Sequence, residues 1–198
     1  MKLHWIAAMV ILILFPLTGC IDNGQETTYD IDIGYISVWE GVTTEEYPTS
    51  FGDFTHHMFS KHDLLLISSS DDDHKITQSQ ETEQVDGYPY NFYICSINKT
   101  INSIRIQWEG YASQPFMGNA EQKLDIYIWN VDELKWDKII SQKWEGNDEM
   151  DKILKKDIQN VTNYISDKNT LYILIIGPFG AGNSTATLAT DFIEIKGA

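Results

Sequence analysis

The acidic side chains are the first candidates for chemistry in this sequence, and one group of them is a run of three aspartates. Asp71, Asp72 and Asp73 are consecutive, and oxygen ligands gathered in a loop are what Ca²⁺ requires. The run is not an EF-hand, because the glycine and the terminal glutamate of that motif are absent. We predict a solvated turn here. Ca²⁺ is the one cofactor that it could bind, and we assign no metal site.

Histidines form a second group, between residues 56 and 62. With Asp53 and Asp63, the side chains of His56, His57 and His62 offer imidazole and carboxylate ligands of the kind that suit zinc. However, His56 and His57 are adjacent, so their side chains point apart on an extended chain, and no helix is expected to gather them. The sequence therefore favours surface histidines over a zinc site.

Three further acids, Glu109, Asp125 and Asp191, lie within strand-like runs. A glycosidase needs two carboxylates that flank the bond it cleaves, and a folded sheet could bring two of these acids together. Spacing along the chain does not fix their separation. We therefore assign no catalytic residue and expect a protein that is not an enzyme, with an exported hydrolase as the least favoured class.

A glycine-rich stretch at residues 176–185, IGPFGAGNST, nearly matches a phosphate-binding P-loop. Asn183 stands where that motif needs a lysine to reach the phosphates. The residues that follow alternate as in a strand, whereas the motif requires a helix there. We predict a loop between strands and no nucleotide site.

Aromatic side chains on a sheet could stack on sugar rings, although tryptophan more commonly lies in or beside a core. Trp108 alternates together with isoleucines and is expected to be buried. Tyr127 and Trp129 share a face with Asp125, opposite the isoleucines of the same run. We predict that Tyr127, Trp129 and Asp125 form an exposed ligand-binding platform.

The segments that carry these residues alternate between apolar and polar side chains with a period of two, which is typical of half-buried strands. The clearest lie within residues 101–130, where two such runs are separated by a polar loop. Other strand-like runs are 34–41, 64–68, 74–80 (expected at a sheet edge), 90–97, 135–144, 171–176 and 187–196. Eight or nine strands with turn signals between them predict an all-β fold, an antiparallel jelly-roll-like β-sandwich with at most one short helix.

Residues 146–167 fit two interpretations. The apolar positions within 153–165 fit a helical stripe, but residues 151–158 also fit a strand followed by one helical turn at 161–165.

The amino terminus has the layout of a secretory signal, with Lys2 followed by nine apolar residues at 6–14. Its last four residues, Leu17-Thr18-Gly19-Cys20, resemble the lipobox of prokaryotic lipoproteins. The resemblance implies lipid transfer to the Cys20 thiol and cleavage just before it. We therefore expect a signal peptide at 1–19, a lipidated cysteine and acidic tether at 20–33, and one sandwich domain at 34–198, attached to the outer face of the cell membrane.

The net charge of the chain limits which classes of molecule it is expected to bind. A net charge of −15 repels phosphate backbones and excludes nucleic acid as an expected partner.

If Cys20 carries lipid, Cys95 has no partner in the mature chain and is expected to be a buried small hydrophobe. Asn98, Asn160 and Asn183 begin Asn-x-Ser/Thr sequons, which on an exported archaeal protein would be glycan acceptors.

The carboxy-terminal half resembles the jelly-roll modules of the galactose-binding-like group, in the segments 104–111, 125–130, 163–165, 171–174 and 190–195, with Trp136 between them. The resemblance favours a strand and one turn at 146–167. It implies a non-catalytic recognition module, because members of the group include carbohydrate-binding modules. We expect a module for carbohydrate or another envelope component, or alternatively a structural envelope lipoprotein with protein partners.

Overall fold

Antiparallel strands make up most of the residues that the computed structural model describes, which are 33–49, 54, 57–79, 86–114, 122–144, 149–181 and 184–197. The predicted signal peptide, Cys20 and nearly all of the tether lie outside these residues, as do Asp53, His56 and Asn183. Within the described part, no helix has the length and apolar character needed to cross a membrane.

The described chain has ten strands and two short helical segments, in the order β1 (Ile33–Thr43), β2 (His57–Met58), α1 (Lys61–Leu66), β3 (Lys75–Gln78), β4 (Tyr88–Ile97), β5 (Ser103–Ser113), β6 (Gln122–Asn130), β7 (Lys135–Trp144), β8 (Lys152–Gln159), a 3₁₀ helix (Val161–Tyr164), β9 (Thr170–Ile176) and β10 (Thr187–Gly197). The strands at 74–80 and 135–144 were predicted within a few residues of these bounds.

The strands form two antiparallel sheets. The six-stranded sheet has the order β2-β1-β4-β9-β6-β7, and the four-stranded sheet has the order β3-β10-β5-β8. Along the described chain, consecutive strands lie in different sheets except for the pairs β1–β2 and β6–β7. The predicted all-β antiparallel sandwich is confirmed, and β3 lies at a sheet edge as expected.

The main core fills the space between the sheets. Alternation directs Ile104, Ile106 and Trp108 of β5 inward, and all three are buried as predicted. The opposing side chains include Ile126 and Ile128 of β6. The apolar face of each strand is therefore removed from water, which is the main stabilising term of such a fold.

A second buried cluster covers the outer face of the six-stranded sheet. It contains Phe54, from the segment that follows β1, and aromatic or aliphatic side chains of four strands: Tyr90, Phe92, Tyr127, Trp129, Trp136, Leu174 and Ile176. Phe54 packs edge-on against Tyr90, with ring centroids 5.1 Å apart. The central strands of this sheet are therefore buried on both faces.

A chain of buried hydrogen bonds crosses between the sheets. The Trp108 indole N–H donates to Thr190 Oγ1 at 3.0 Å, and the Thr190 hydroxyl donates to Asn91 Oδ1 at 3.1 Å. Asn91 Nδ2 donates in turn to Thr77 Oγ1 at 2.9 Å, and the Thr77 hydroxyl donates to Glu40 at 2.7 Å. These bonds satisfy polar groups that burial would otherwise leave without partners.

The strand predicted at residues 64–68 is wrong, because most of this run belongs to α1. Ser60 caps the helix, since its hydroxyl accepts from the Asp63 N–H at 3.2 Å while Asp63 Oδ2 accepts from the Ser60 N–H at 2.8 Å. This reciprocal capping box favours a helix start. The apolar run that suggested a buried strand is only partly buried in α1.

Two other uncertain segments follow their expected course. In the described part of 146–167, β8 is followed by the 3₁₀ helix, which confirms the strand-and-turn alternative. The glycine-rich stretch leads into β10 with no helix between the described residues, and its Gly180 bridges to Gly87. The expected loop between strands is confirmed.

Candidate functional site

An exposed tyrosine lies on the outer face of the six-stranded sheet, close to Lys123 at the start of β6. Tyr47 follows β1, and its side chain is 58% exposed. The ammonium groups of Lys123 on β6 and Lys138 on β7 each lie 4.9 Å from the centre of its ring. Cations at this distance are attracted to an aromatic face. We call Glu46, Tyr47, Lys123, Asp125 and Lys138 the Tyr47 rim.

Period-two alternation places the polar members of this rim. Residues 123, 125 and 127 of β6 share the outer face, while the residues between them face the core. Lys138 and Ser141 of β7 pair with Tyr127 and Asp125 across the two strands. The β6–β7 hairpin therefore holds two ammonium groups and one carboxylate together beneath the Tyr47 ring.

Lys123 is linked tightly to Glu46. Its ammonium donates to Glu46 Oε1 at 2.6 Å and to the Tyr47 hydroxyl at 3.3 Å. Burial alone would lower the pKa of Lys123, but these two bonds and the charge of Asp125 raise it above its ordinary value. The hydrogen bonds from Lys123 and Tyr47 also hold the pKa of Glu46 below its ordinary value. Both groups are therefore charged at neutral pH.

Asp125 is a buried carboxylate with several partners. The Lys138 ammonium donates to Oδ2 at 2.7 Å, and the Ser141 hydroxyl donates to Oδ1 at 2.5 Å. The Tyr127 hydroxyl lies 3.3 Å from the same Oδ2, and burial together with the Asp125 charge raises the pKa of Tyr127. Asp125 thus fixes the position of Lys138 beside the exposed ring.

The predicted exposure of Tyr127, Trp129 and Asp125 is wrong. Tyr127 is 3% exposed, Trp129 is 7% exposed and Asp125 is buried. Alternation correctly places them on the face opposite the isoleucines of β6. That face is covered, because the segment after β1 folds back over it and inserts Phe54 among the rings.

Sequence analysis missed the residues that form this surface. In the sequence, Tyr47 belongs only to a turn-like Tyr-Pro pair, and neither Lys123 nor Lys138 belongs to a motif. The nearest signal was the placement of Asp125 on the outer face of β6, which is correct. The contact between residues 46–47 and β6 spans more than 70 positions of the chain, and no local pattern records it.

The family of the chain follows from its match over most of the domain. Residues 36–197 match the family described as "AF_1625_C: Uncharacterized protein, C-terminal domain". The chain belongs to this family. No curated protein matches the sequence. Among solved structures, it is similar to one described as TmCBM61 in complex with beta-1,4-galactotriose, with a TM-score of 0.34 and 6% identity, over 64% of this chain and 90% of that chain.

Of the three acids that could have served hydrolysis, two lie near one another and one lies apart in this member of the AF_1625_C family. Asp125 lies on β6 of the six-stranded sheet with the partners given above. Asp191 on β10 and Glu109 on β5 lie near one another in the four-stranded sheet. Of the predicted surface histidines, His57 and His62 are exposed.

The remaining predicted positions are placed as follows. Asn98 and Asn160 of the predicted sequons are exposed. Cys95 is fully buried in the core between the sheets. Burial raises the pKa of its thiol to about 12. The expected role of Cys95 as a buried small hydrophobe is therefore confirmed.

Proposed function

We propose that this protein is a lipid-anchored recognition module on the cell surface that binds carbohydrate, without catalysis, at the Tyr47 rim. The observation that carries this proposal is the Tyr47 ring, which is 58% exposed and lies 4.9 Å from each of two ammonium groups. An exposed ring supplies the apolar surface on which a sugar can stack. Lys123, Lys138 and Glu46 supply donors and acceptors for its hydroxyl groups.

The lysine side chains of the Tyr47 rim are already held in place by carboxylates before a ligand binds. Lys138 is fixed by Asp125, and Lys123 is fixed by Glu46. A ligand therefore meets polar groups whose side-chain entropy is already reduced, which favours affinity. The surface lies over the buried aromatic cluster that contains Tyr127, so its floor is also rigid.

The charge states at the rim suit binding better than glycoside hydrolysis. A glycosidase needs a carboxylic acid with a raised pKa to protonate the leaving group. The pKa of Glu46 is instead lowered by Lys123 and Tyr47. Glu46 therefore accepts hydrogen bonds at neutral pH and is a poor proton donor.

A glycan array probed with the purified full-length chain in detergent micelles tests this proposal. We expect binding to a subset of neutral oligosaccharides and loss of that binding in Tyr47→Ala. Ile153→Ala is the matched control, because Ile153 is 55% exposed on β8 of the other sheet. An array without signal for the wild type, or equal binding by Tyr47→Ala, would contradict the proposal.

The position of the module at the membrane is part of the same proposal. Lys2 and the apolar run before Cys20 support export, and the Leu17–Cys20 sequence supports lipid attachment. Two or more acyl chains give durable anchoring. The exposed Asn98 and Asn160 would then face the side of the membrane where glycans are added to exported chains.

A further inference from the structure

Three aspartates from separate parts of the chain meet beside the four-stranded sheet. Asp72 lies in the turn before β3, Asp151 directly precedes β8, and Asp191 lies within β10. One carboxylate oxygen of each lies within 4.8 Å of the corresponding oxygens of the other two. None of these residues belongs to the Tyr47 rim. Acidic clusters are common on an anionic surface, so the decisive feature is that Asp191 is buried with one oxygen unpaired.

Asp191 is fully buried, and one of its oxygens lacks a partner. Oδ1 accepts from the Asp71 backbone N–H at 3.3 Å, whereas buried Oδ2 has no hydrogen-bond partner among the described residues. Buried carboxylates are normally paired or coordinate a metal. The cluster therefore contains a buried carboxylate oxygen that no described donor satisfies.

The backbone of β10 presents Asp191 to the other two acids through a bulge. The register between β10 and β5 shifts between Thr190 and Phe192, which leaves Asp191 as the extra residue. Opposite this bulge, Gly110 has φ +147°, and a Cβ there would lie 2.1 Å from the Ala189 carbonyl oxygen. Bulges commonly redirect a side chain next to a functional site.

The ligand set fits a hard divalent cation. Its contributors are carboxylates, which suit Ca²⁺ and Mg²⁺ and not the softer metals. Oxygens on opposite sides of Ca²⁺ lie about 4.6–5.2 Å apart, so a cluster within 4.8 Å can surround this ion. His74 Nε2 lies 2.8 and 3.0 Å from the two oxygens of Asp151. A neutral His74 that donates this N–H would orient Asp151, as outer partners of metal ligands commonly do.

We propose that Asp72, Asp151 and Asp191 bind a single Ca²⁺ that joins the turn before β3 to the edge of β8 and the bulge of β10. Ca²⁺ takes six to eight oxygen ligands, and water and backbone carbonyl groups complete such sets. The two positive charges of the ion offset part of the charge of the three carboxylates, and the ion gives the buried Asp191 oxygen a partner. It also connects the segments that precede the two edge strands, β3 and β8, to β10, one of the two central strands of the four-stranded sheet.

Terbium luminescence on the full-length chain in detergent micelles tests this site. Tb³⁺ occupies Ca²⁺ sites and emits when an excited aromatic side chain lies nearby. Tyr111 can serve as that donor, because its ring centroid lies 5.2 Å from the ring of His74. We expect saturable emission that Ca²⁺ displaces at lower concentration than Mg²⁺. Ca²⁺ alone is expected to raise the Tm.

Substitutions separate a built site from diffuse attraction of cations. We expect Asp72→Asn and Asp191→Asn each to weaken Tb³⁺ and Ca²⁺ binding by about tenfold or more. Asp73→Asn removes an equal charge from an exposed neighbour in the same turn, and we expect it to change affinity by less than about twofold. Asp72 is exposed, so its variant keeps the test informative if Asp191→Asn does not fold.

Three results would overturn the proposal. One is the absence of saturable Tb³⁺ emission together with a Tm that Ca²⁺ does not raise. The second is an equal loss of affinity in Asp73→Asn and Asp72→Asn, which would indicate a general effect of negative charge. The third is displacement by Mg²⁺ at lower concentration than Ca²⁺, which would rule out the assignment to Ca²⁺.

Discussion

Thr190 is the residue through which the two sheets share their buried hydrogen bonds. Its hydroxyl accepts from the Trp108 indole at 3.0 Å and donates to Asn91 Oδ1 at 3.1 Å. All three side chains are fully buried, so water does not replace a lost bond. The net value of such a bond is modest, but a buried polar atom left without a partner is costly.

We therefore expect Thr190→Val to lower the free energy of unfolding by about 1–3 kcal/mol, because it leaves the Trp108 N–H and Asn91 Oδ1 unsatisfied. Urea unfolding followed by tryptophan fluorescence measures this change. The matched control is Thr162→Val at an exposed position, for which we expect a change within about 0.5 kcal/mol. Equal effects of the two substitutions would show that the hydrogen-bond chain contributes little.

The sequence predicted the burial of Trp108 but not that of Trp129, and the difference is physical. Both alternate regularly along a strand. Trp108 shares a face with isoleucines, and that face packs into the core between the sheets. Trp129 lies on the outer face, which an antiparallel sheet often leaves to water. Here Phe54 covers that face, and alternation within β6 carries no information about a residue that arrives from another part of the chain.

At the scale of elements, α1 depends on its first residues because it has only six residues, Lys61–Leu66. Asp63 accepts hydrogen bonds from the backbone and hydroxyl of Ser60, at 2.8 and 2.7 Å, and lies 3.4 Å from Lys75. Burial alone would raise the pKa of Asp63, but these partners hold it below its ordinary value. The folded state therefore favours the ionised form of this side chain.

A carboxylate whose pKa is lowered by folding contributes stability above its unfolded pKa, and this contribution is lost as pH falls through the folded pKa. We expect Asp63→Asn to lower the free energy of unfolding at pH 7 by about 0.5–1 kcal/mol. The difference from wild type should shrink below about pH 4, where aspartate is protonated in the unfolded chain. Urea unfolding at a series of pH values measures it.

Asp167→Asn is the control for this prediction, since it removes an equal charge from an exposed turn. A difference between Asp63→Asn and wild type that stays constant from pH 7 to pH 2 would contradict a role for the ionised carboxylate in the cap.

Most strands were predictable because they alternate or form apolar runs, whereas α1 was not. Residues 64–68 are apolar and short, and periodicity does not separate a strand from a helix in such a run. The signal that could have decided it was Ser60 followed by Asp63, a helix start. The Asp72, Asp151 and Asp191 cluster was equally hidden, since three distant segments and a bulge in β10 create it.

If Cys20 of the whole molecule carries lipid, charge and tether length limit how the domain can lie at a membrane. The chain carries a net charge of −15, which an anionic lipid surface repels. The tether from Cys20 to residue 33 spans at most about 45 Å when fully extended. A lipid at Cys20 would therefore keep the sandwich near the surface while its charge opposes close contact. In the function proposed above, attachment therefore depends on the lipid at Cys20.

This dependence yields a prediction about the two cysteines. In cells fed an alkyne fatty acid, we expect the wild type to be labelled and to have lost residues 1–19, as measured by the mass of the intact protein. Cys20→Ser should be unlabelled and should keep its leader, because the thiol that receives the lipid is gone. Cys95→Ala should be labelled like the wild type, since the Cys95 thiol is fully buried and burial raises its pKa to about 12.

Partition into detergent alone does not distinguish these chains, because an uncleaved leader is itself apolar. Labelling of Cys20→Ser at the level of the wild type, or an unlabelled wild type, would show that the membrane attachment proposed for this domain does not pass through Cys20.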